Sequence, residues 1–204
     1  MPDLVDTRHS LHAVAELLLA GPQHLARGTI KLTVTPQGFA TIHAPVVEVA
    51  GELLRCSGHE VTLDGKTIAA VADEVGLDPR SLIDVYTDGC GLDASHVLTI
   101  DGTAAAEIHT AFARGAQALA QFAPDQQPVL WPEHFDVGIT VDEVNYGISP
   151  GDGFLDVPYA YVGPWRREGM TGDFWNAPFG AARPVSEIDD LSSFFSEGAA
   201  AVTG

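Results

Sequence analysis

His134 and Asp136 are the two residues of this sequence best placed to do chemistry together. They lie two positions apart, and alternate side chains of a β-strand project from the same face. A carboxylate beside an imidazole can orient it for proton transfer, and the same two groups can ligate a metal ion. The pair is therefore the candidate catalytic site. A metal site that uses both residues and a purely structural hydrogen bond between them are the alternatives.

Polar and aromatic side chains further along the chain are candidates for binding a ligand. They are Thr140, Asn145, Ser149, Asp152, Tyr159, Tyr161, Trp165 and Trp175. Tyr159 and Tyr161 share one strand face, and such rings can line a pocket for a flat or sugar-like molecule. They can equally form part of the hydrophobic core. Asp152 lies in a Pro- and Gly-rich turn, so a turn-capping role is its alternative.

A β-hairpin positions most of these groups. Apolar residues alternate with polar ones from Val129 to Val141 and again from 144 to 149. Folding the two segments about Asp142-Glu143 pairs Val137 with Ile148 and Gly138 with Gly147, and a one-residue slip would bury polar groups. A four-residue loop is favoured over a two-residue turn, because Asp-Glu suits a primed turn poorly. The paired glycines leave backbone open to a ligand or to another segment.

The charged residues around this hairpin are all acidic. No Lys or Arg occurs between Arg114 and Arg166, whereas residues 128–179 hold 10 of the 16 aromatic residues. The exclusion of cations argues against anionic substrates and favours neutral or cationic ones.

Two other groups of residues are weaker candidates for a functional site. His9, His12 and Glu16 recur at helical spacing and can share one helix face, which is predicted to be solvated. Cys90 lies among acidic residues, which raise the pKa of a thiol, so an activated nucleophile is not expected there.

The elements that must carry these residues predict an α+β fold. The spacing of apolar residues predicts an N-terminal helix ended by Gly21-Pro22, a long helix over 102–122 capped by Asp101, and a C-terminal helix from Ser186. Strands are predicted at 29–34, 39–43, 46–54 and 60–63, a short helix at 67–75, and irregular structure at 77–96. We expect a mainly antiparallel, curved sheet packed on the long helix, with helices at both termini.

Composition sets the broad class. The 204 residues carry a formal charge of −18 and are 46% hydrophobic, which predicts a single globular domain over 1–204. The acidic excess argues against a nucleic-acid partner. No apolar stretch is long enough to span a membrane and no secretory signal is visible, so a cytoplasmic location is expected.

Three short sequence motifs, occurring in a fixed order, are similar to those of a known group of proteins. Residues 130–136 (LWPEHFD), 145–152 (NYGISPGD) and 158–161 (PYAY) resemble a group of uncharacterised, mostly actinobacterial proteins. The resemblance covers mainly residues 129–162 and implies a site there, but it implies no activity and no cofactor. Glu133 stands where that group often has a second histidine.

Three functions therefore follow as hypotheses. The first is a small-molecule site on the polar hairpin face, with His134 transferring a proton and Asp136 orienting it. The second is a non-catalytic interaction module whose aromatic region forms a partner surface or a homo-oligomer. The third is a metal-binding protein that uses His134 and Asp136.

Overall fold

A ten-stranded antiparallel sheet dominates the computed structural model, which describes residues 4–166 and 170–203. Its strands are β1 (Leu32–Thr35), β2 (Gly38–Thr41), β3 (Val47–Ala50), β4 (Leu53–Cys56), β5 (His59–Thr62), β6 (Val129–Trp131), β7 (Asp136–Val141), β8 (Val144–Ser149), β9 (Tyr159–Pro164) and β10 (Ala181–Pro184). Their order across the sheet is β10-β9-β8-β7-β6-β1-β2-β3-β4-β5. Two meanders, β1 to β5 and β6 to β10, thus meet at the β1–β6 pair.

Helices occur at both ends and in the middle of the described chain. They are α1 (Leu4–Val14), a π-helical segment (Ala15–Ala20), α2 (Gly21–Arg27), α3 (Ile68–Val75), α4 (Gly102–Phe122) and α5 (Leu191–Thr203), with a 3-10 turn at Val185–Glu187. The α+β fold with terminal helices, a long central helix and an antiparallel sheet is confirmed.

Helix α4 matches its prediction closely. The Asp101 carboxylate accepts hydrogen bonds from the backbone N–H groups of Thr103 and Ala104, each at 3.0 Å, which caps the helix. The fully buried residues of its apolar stripe, such as Ile108 and Phe112, pack on the sheet. The helix therefore supports the strands that carry the candidate site.

The N-terminal helix continues through Gly21-Pro22, so the predicted stop there is wrong. The preceding turn is π-helical, and the Gly21 N–H bonds to the Glu16 carbonyl oxygen five residues earlier. Such a widened turn relieves the clash that proline makes with an ordinary helix, and Pro22 needs no N–H at the start of α2. The helix ends instead at Gly28, whose φ of 73° is left-handed.

The segment from Val129 to Val141 is two strands and not one. Residues 132–135 form a turn between β6 and β7, and Trp131 pairs with Asp136 across it. Pro132 cannot donate a ladder hydrogen bond, and Phe135 takes a left-handed φ of 51° while its ring is buried. His134 therefore lies in a turn and does not share a strand face with Asp136.

Two further boundaries differ from prediction. The expected strand over 46–54 is divided between β3 and β4, because the chain reverses at Gly51, whose φ is 60°. The C-terminal helix begins at Leu191 and not at Ser186. Its cap is Asp190, whose carboxylate accepts from the N–H groups of Ser192 and Ser193.

The predicted register of the β7–β8 hairpin is confirmed. Val137 pairs with Ile148, and Gly138 pairs with Gly147. The connection is the two-residue turn and not the favoured four-residue loop. Asp142 and Glu143 both have positive φ, 50° and 63°, which is the primed geometry that matches the twist of a hairpin.

Candidate functional site

A cavity of about 720 Å³ opens over β7, β8 and β9, and its size is typical of small-molecule sites. Eight of the ten predicted site residues line it: His134, Asp136, Asn145, Ser149, Asp152, Tyr159, Tyr161 and Trp165. The structure places Thr140 and Trp175 outside its lining. The hairpin and the strand beside it thus bring most of the predicted residues together.

Asp136 and Tyr161 form the polar floor of the cavity. Asp136 is 8% exposed, and the Tyr161 hydroxyl donates a hydrogen bond to its Oδ2. Burial raises the pKa of the Asp136 carboxyl, and burial together with the neighbouring Asp136 raises the pKa of Tyr161. The pair therefore holds its protons more tightly than the same groups do in water. A buried carboxyl of this kind can act as a general acid.

The Gly138–Gly147 pair is covered by the protein itself. Gly147 is opposite Tyr161 in the β8–β9 register, and the Tyr161 ring lies where a side chain on Gly147 would project. The two glycines therefore leave room for the tyrosine ring over the face of β7 and β8. The sequence predicted that either a ligand or another segment of the chain would approach this backbone. In the structure another segment, β9 with Tyr161, approaches it.

His134 lies at the rim of the cavity. Its side chain is exposed, and the hydrogen bond of the Asp136 carboxylate in the described part of the chain goes to Tyr161 and not to His134. The predicted orientation of His134 by Asp136 is therefore not seen. The two groups interact through charge, since a protonated His134 favours the ionised form of Asp136 and so lowers its pKa.

Asp152 has the turn-capping role that was its alternative. Its Oδ1 accepts hydrogen bonds from the N–H groups of Phe154, at 2.7 Å, and Leu155, at 3.3 Å. Its Oδ2 accepts from the Tyr159 hydroxyl at 2.5 Å. Asp152 therefore fixes both the loop after β8 and the ring of Tyr159 in the cavity wall.

Asn145 holds Trp165 at the mouth of the cavity. Its Oδ1 accepts hydrogen bonds from Trp165 Nε1, at 3.2 Å, and from Thr140 Oγ1, at 2.8 Å. Thr140 thus acts on the site through Asn145. Ser149 is buried at the other end of β8, where its hydroxyl accepts the Gly151 N–H at 3.1 Å.

Trp175 belongs to the packing of the core and not to the site. It is half-buried, and its ring meets that of Phe174 edge-on with centroids 5.0 Å apart. Both rings pack against the hydrophobic core. For this residue the structure supports the core role that was the alternative for the aromatic residues.

Helix α1 supplies cavity residues that were not predicted as part of the site. Arg8, His9 and His12 line the wall formed by this helix. Arg8 is only 6% exposed, and its guanidinium donates to the Asp156 carbonyl oxygen at 3.5 Å. A cation therefore reaches the cavity from more than a hundred residues away, although the local sequence excludes one. The spacing of His9 and His12 was the one sequence signal for this wall.

His12 is fixed in one orientation by two contacts. Its Nε2 is 2.6 Å from the Pro132 carbonyl oxygen, which can only accept, so Nε2 carries the proton. Its ring stacks on Phe135 with centroids 5.4 Å apart. Burial lowers the pKa of His12. The imidazole is therefore neutral near pH 7 and leaves Nδ1 as a proton acceptor.

Glu16 is buried and His12 is half-buried, so the predicted solvated face of the first helix is wrong at these two residues, although His9 is exposed. The Glu16 side chain is 4% exposed, and one carboxylate oxygen accepts the Cys90 N–H at 2.7 Å. This bond fastens the loop that carries Asp88, another cavity residue, to the π-helical segment. Burial first and then Glu16 raise the pKa of the Cys90 thiol to about 12, which agrees with the expected lack of activation.

Metal binding and membrane insertion find no support in the described residues. Within 4–166 and 170–203, no three His, Cys, Asp or Glu side chains are grouped so that they could hold a metal ion. None of the helices in those ranges combines the length and the apolarity that crossing a bilayer requires.

Comparison of the chain with protein-family models, curated proteins and solved structures gives no match.

Proposed function

We propose that this protein binds a neutral or cationic small molecule in the 720 Å³ cavity, and that Asp136 exchanges a proton with the bound molecule. The observation that carries the proposal is a buried carboxyl group, hydrogen-bonded to Tyr161, on the floor of an open cavity. Carboxyl groups with a raised pKa inside clefts are common among general acids and bases.

The charge of the lining supports this ligand class. Among the described residues, four carboxyl groups line the cavity, from Asp88, Glu133, Asp136 and Asp152, against the single guanidinium of Arg8. An anionic ligand would meet an excess of negative charge, even with Asp136 protonated. His134, at the rim, remains the second proposed proton-transfer group.

The alternatives from the sequence have less support. Trp175, one of the aromatic residues of the region proposed as a partner surface, packs against the protein's own core. The metal hypothesis needs ligands beyond His134 and Asp136, and no such group is found among the described residues.

Replacing Asp136 with asparagine is expected to stabilise the fold at pH 7. The pKa of Asp136 is higher in the folded than in the unfolded chain, so its ionisation above the folded pKa favours unfolding. The melting temperature of Asp136→Asn should exceed that of the wild type by roughly 2–4 °C for each kcal/mol of relieved burial penalty. The difference should shrink as the pH falls and disappear below the ordinary pKa of aspartate.

Melting curves between pH 3 and pH 8 test this expectation, with Asp125→Asn as the matched control. Asp125 is exposed, so the same loss of charge there should change the melting temperature little at any pH. A stabilising role for the ionised Asp136 would instead appear as a lower melting temperature of Asp136→Asn at pH 7.

Ligand binding is tested by melting the wild type with a library of neutral, cationic and anionic compounds. A compound present at 100 times its Kd stabilises the folded state by about 2.7 kcal/mol. We expect neutral or cationic compounds to raise the melting temperature of the wild type and of Asp125→Asn, and Asp136→Asn to respond less. If no class shifts the wild type, the proposed function is wrong.

A further inference from the structure

Trp165 is the most exposed aromatic side chain in the cavity lining, at 62%. An exposed indole is normally free to change rotamer, but here one hydrogen bond holds the ring and a second holds the backbone that carries it. Its Nε1–H donates to Asn145 Oδ1 at 3.2 Å, and its backbone N–H donates to the Glu143 carbonyl oxygen at 2.9 Å. The result is a fixed, solvent-facing aromatic ring at the entrance of a polar cavity.

The interior beyond this ring presents hydrogen-bond donors and acceptors side by side. The Arg8 guanidinium and the His12 imidazole lie on the α1 wall, the carboxyl group of Asp136 lies on the floor, and that of Asp152 lies in the loop after β8. Tyr159 and Tyr161 each donate to one of these carboxyl groups and keep oxygen lone pairs that can accept. A hydroxyl group, which both donates and accepts, is suited to such a mixed lining.

Charge and hydrogen bonding together separate the remaining ligand classes. An anion would be repelled by the carboxyl groups of the lining. A neutral molecule with hydroxyl groups avoids that penalty and pairs with the donors and acceptors, which a simple cation without hydroxyl groups would leave unpaired. An apolar ring face would stack on Trp165, while hydroxyl groups at the ring edge would reach the polar interior.

We propose that the ligand of this cavity is a neutral polyhydroxylated ring, such as a pyranoside or a cyclitol, stacked on Trp165. The proposal rests on the proposed function and narrows its ligand class from neutral or cationic molecules to neutral polyols. Trp165 would set specificity, and Asn145 would position it.

Saturation-transfer NMR on the full chain tests the proposal with defined probes. The neutral probes are the methyl pyranosides of glucose, galactose and mannose, N-acetylglucosamine and myo-inositol. Choline represents cations and glucose 6-phosphate represents anions. We expect transfer from the protein's aromatic protons to the C–H groups on one face of at least one neutral probe, and a weaker response from choline and the phosphate.

Variants locate the contact. Trp165→Ala should weaken binding of the neutral probe at least tenfold, whereas Trp165→Phe, which keeps a ring, should restore part of it. Trp175→Phe is the matched control, because that ring packs in the core away from the cavity, and it should bind as the wild type does. Circular dichroism and melting curves establish that each variant is folded.

The outcomes separate this inference from the proposed function. Binding of choline without any neutral polyol would overturn the polyol assignment and leave the cavity as a cation site. Polyol binding unchanged in Trp165→Ala would overturn the stacking role. No response to these probes, together with library compounds that do shift the melting temperature, would overturn the polyol class alone. If no probe responds in the NMR experiment and no library compound shifts the melting temperature, both proposals are overturned.

Discussion

Phe135→Ala is expected to lower the free energy of unfolding by about 3–5 kcal/mol, the range for removing a buried aromatic ring. Phe135 is 1% exposed, and its ring meets those of Phe39 and Phe112 edge-on at centroid distances of 5.5 and 5.3 Å. The same ring stacks on His12. Its loss would open a cavity in the core directly behind the candidate site.

Urea denaturation measures this loss, and Phe154→Ala is the matched control. Phe154 is 41% exposed, so the same truncation removes less buried apolar area and should lower the free energy of unfolding by less. NMR titration gives a second readout, because a less buried His12 should recover a pKa closer to its ordinary value. Equal destabilisation in the two variants would contradict the central role assigned to the Phe135 ring.

Gly147→Ala is expected to destabilise the fold by about 1–3 kcal/mol and to displace Tyr161 from the cavity floor. A Cβ at this position would overlap the Tyr161 ring and would lie 2.6 Å from the Val137 carbonyl oxygen. The ring can move, but the backbone of the neighbouring strand cannot move without disturbing the sheet. Binding in the cavity should therefore fall together with stability.

Gly163→Ala is the control for this substitution. Gly163 lies on β9 beside the same cavity, but a Cβ there would come no closer than 3.7 Å to the neighbouring atoms. Chemical denaturation should give Gly163→Ala a free energy of unfolding close to that of the wild type. Adding Tyr161→Ala to Gly147→Ala should relieve only the part of the strain that comes from the ring. If the losses in free energy of unfolding caused by Gly147→Ala and by Tyr161→Ala simply add in the double variant, the overlap is contradicted.

The local geometry of the site was predictable where one short-range pattern dominates. Alternation of apolar and polar residues fixed the β7–β8 register, because a slip would bury Asn145 and expose Tyr146. Helix α4 was predictable because its apolar spacing and its Asp101 cap agree. Phe135 was expected on the apolar side and is buried there, but it reaches the core from a turn.

The α1 wall of the cavity was not predictable in the same way. Arg8 and His12 reach the site through contacts with Asp156 and Pro132, 148 and 120 residues away along the chain. A count of cations near the hairpin could not include them. The π-helical segment was also hidden, because Gly21-Pro22 is a normal stop signal and only tertiary packing shows that the helix continues.

The junction between the two meanders has a consequence for the way the molecule opens. In the described chain, β1 and β6 share one paired position, Leu32 opposite Leu130, whereas the other neighbouring strands share three or more. Helix α4 packs on strands from both sides of this seam. Amide hydrogen exchange should therefore find the β1–β6 pair opening at lower free energy than the pairs within either meander, while α4 keeps the two meanders together.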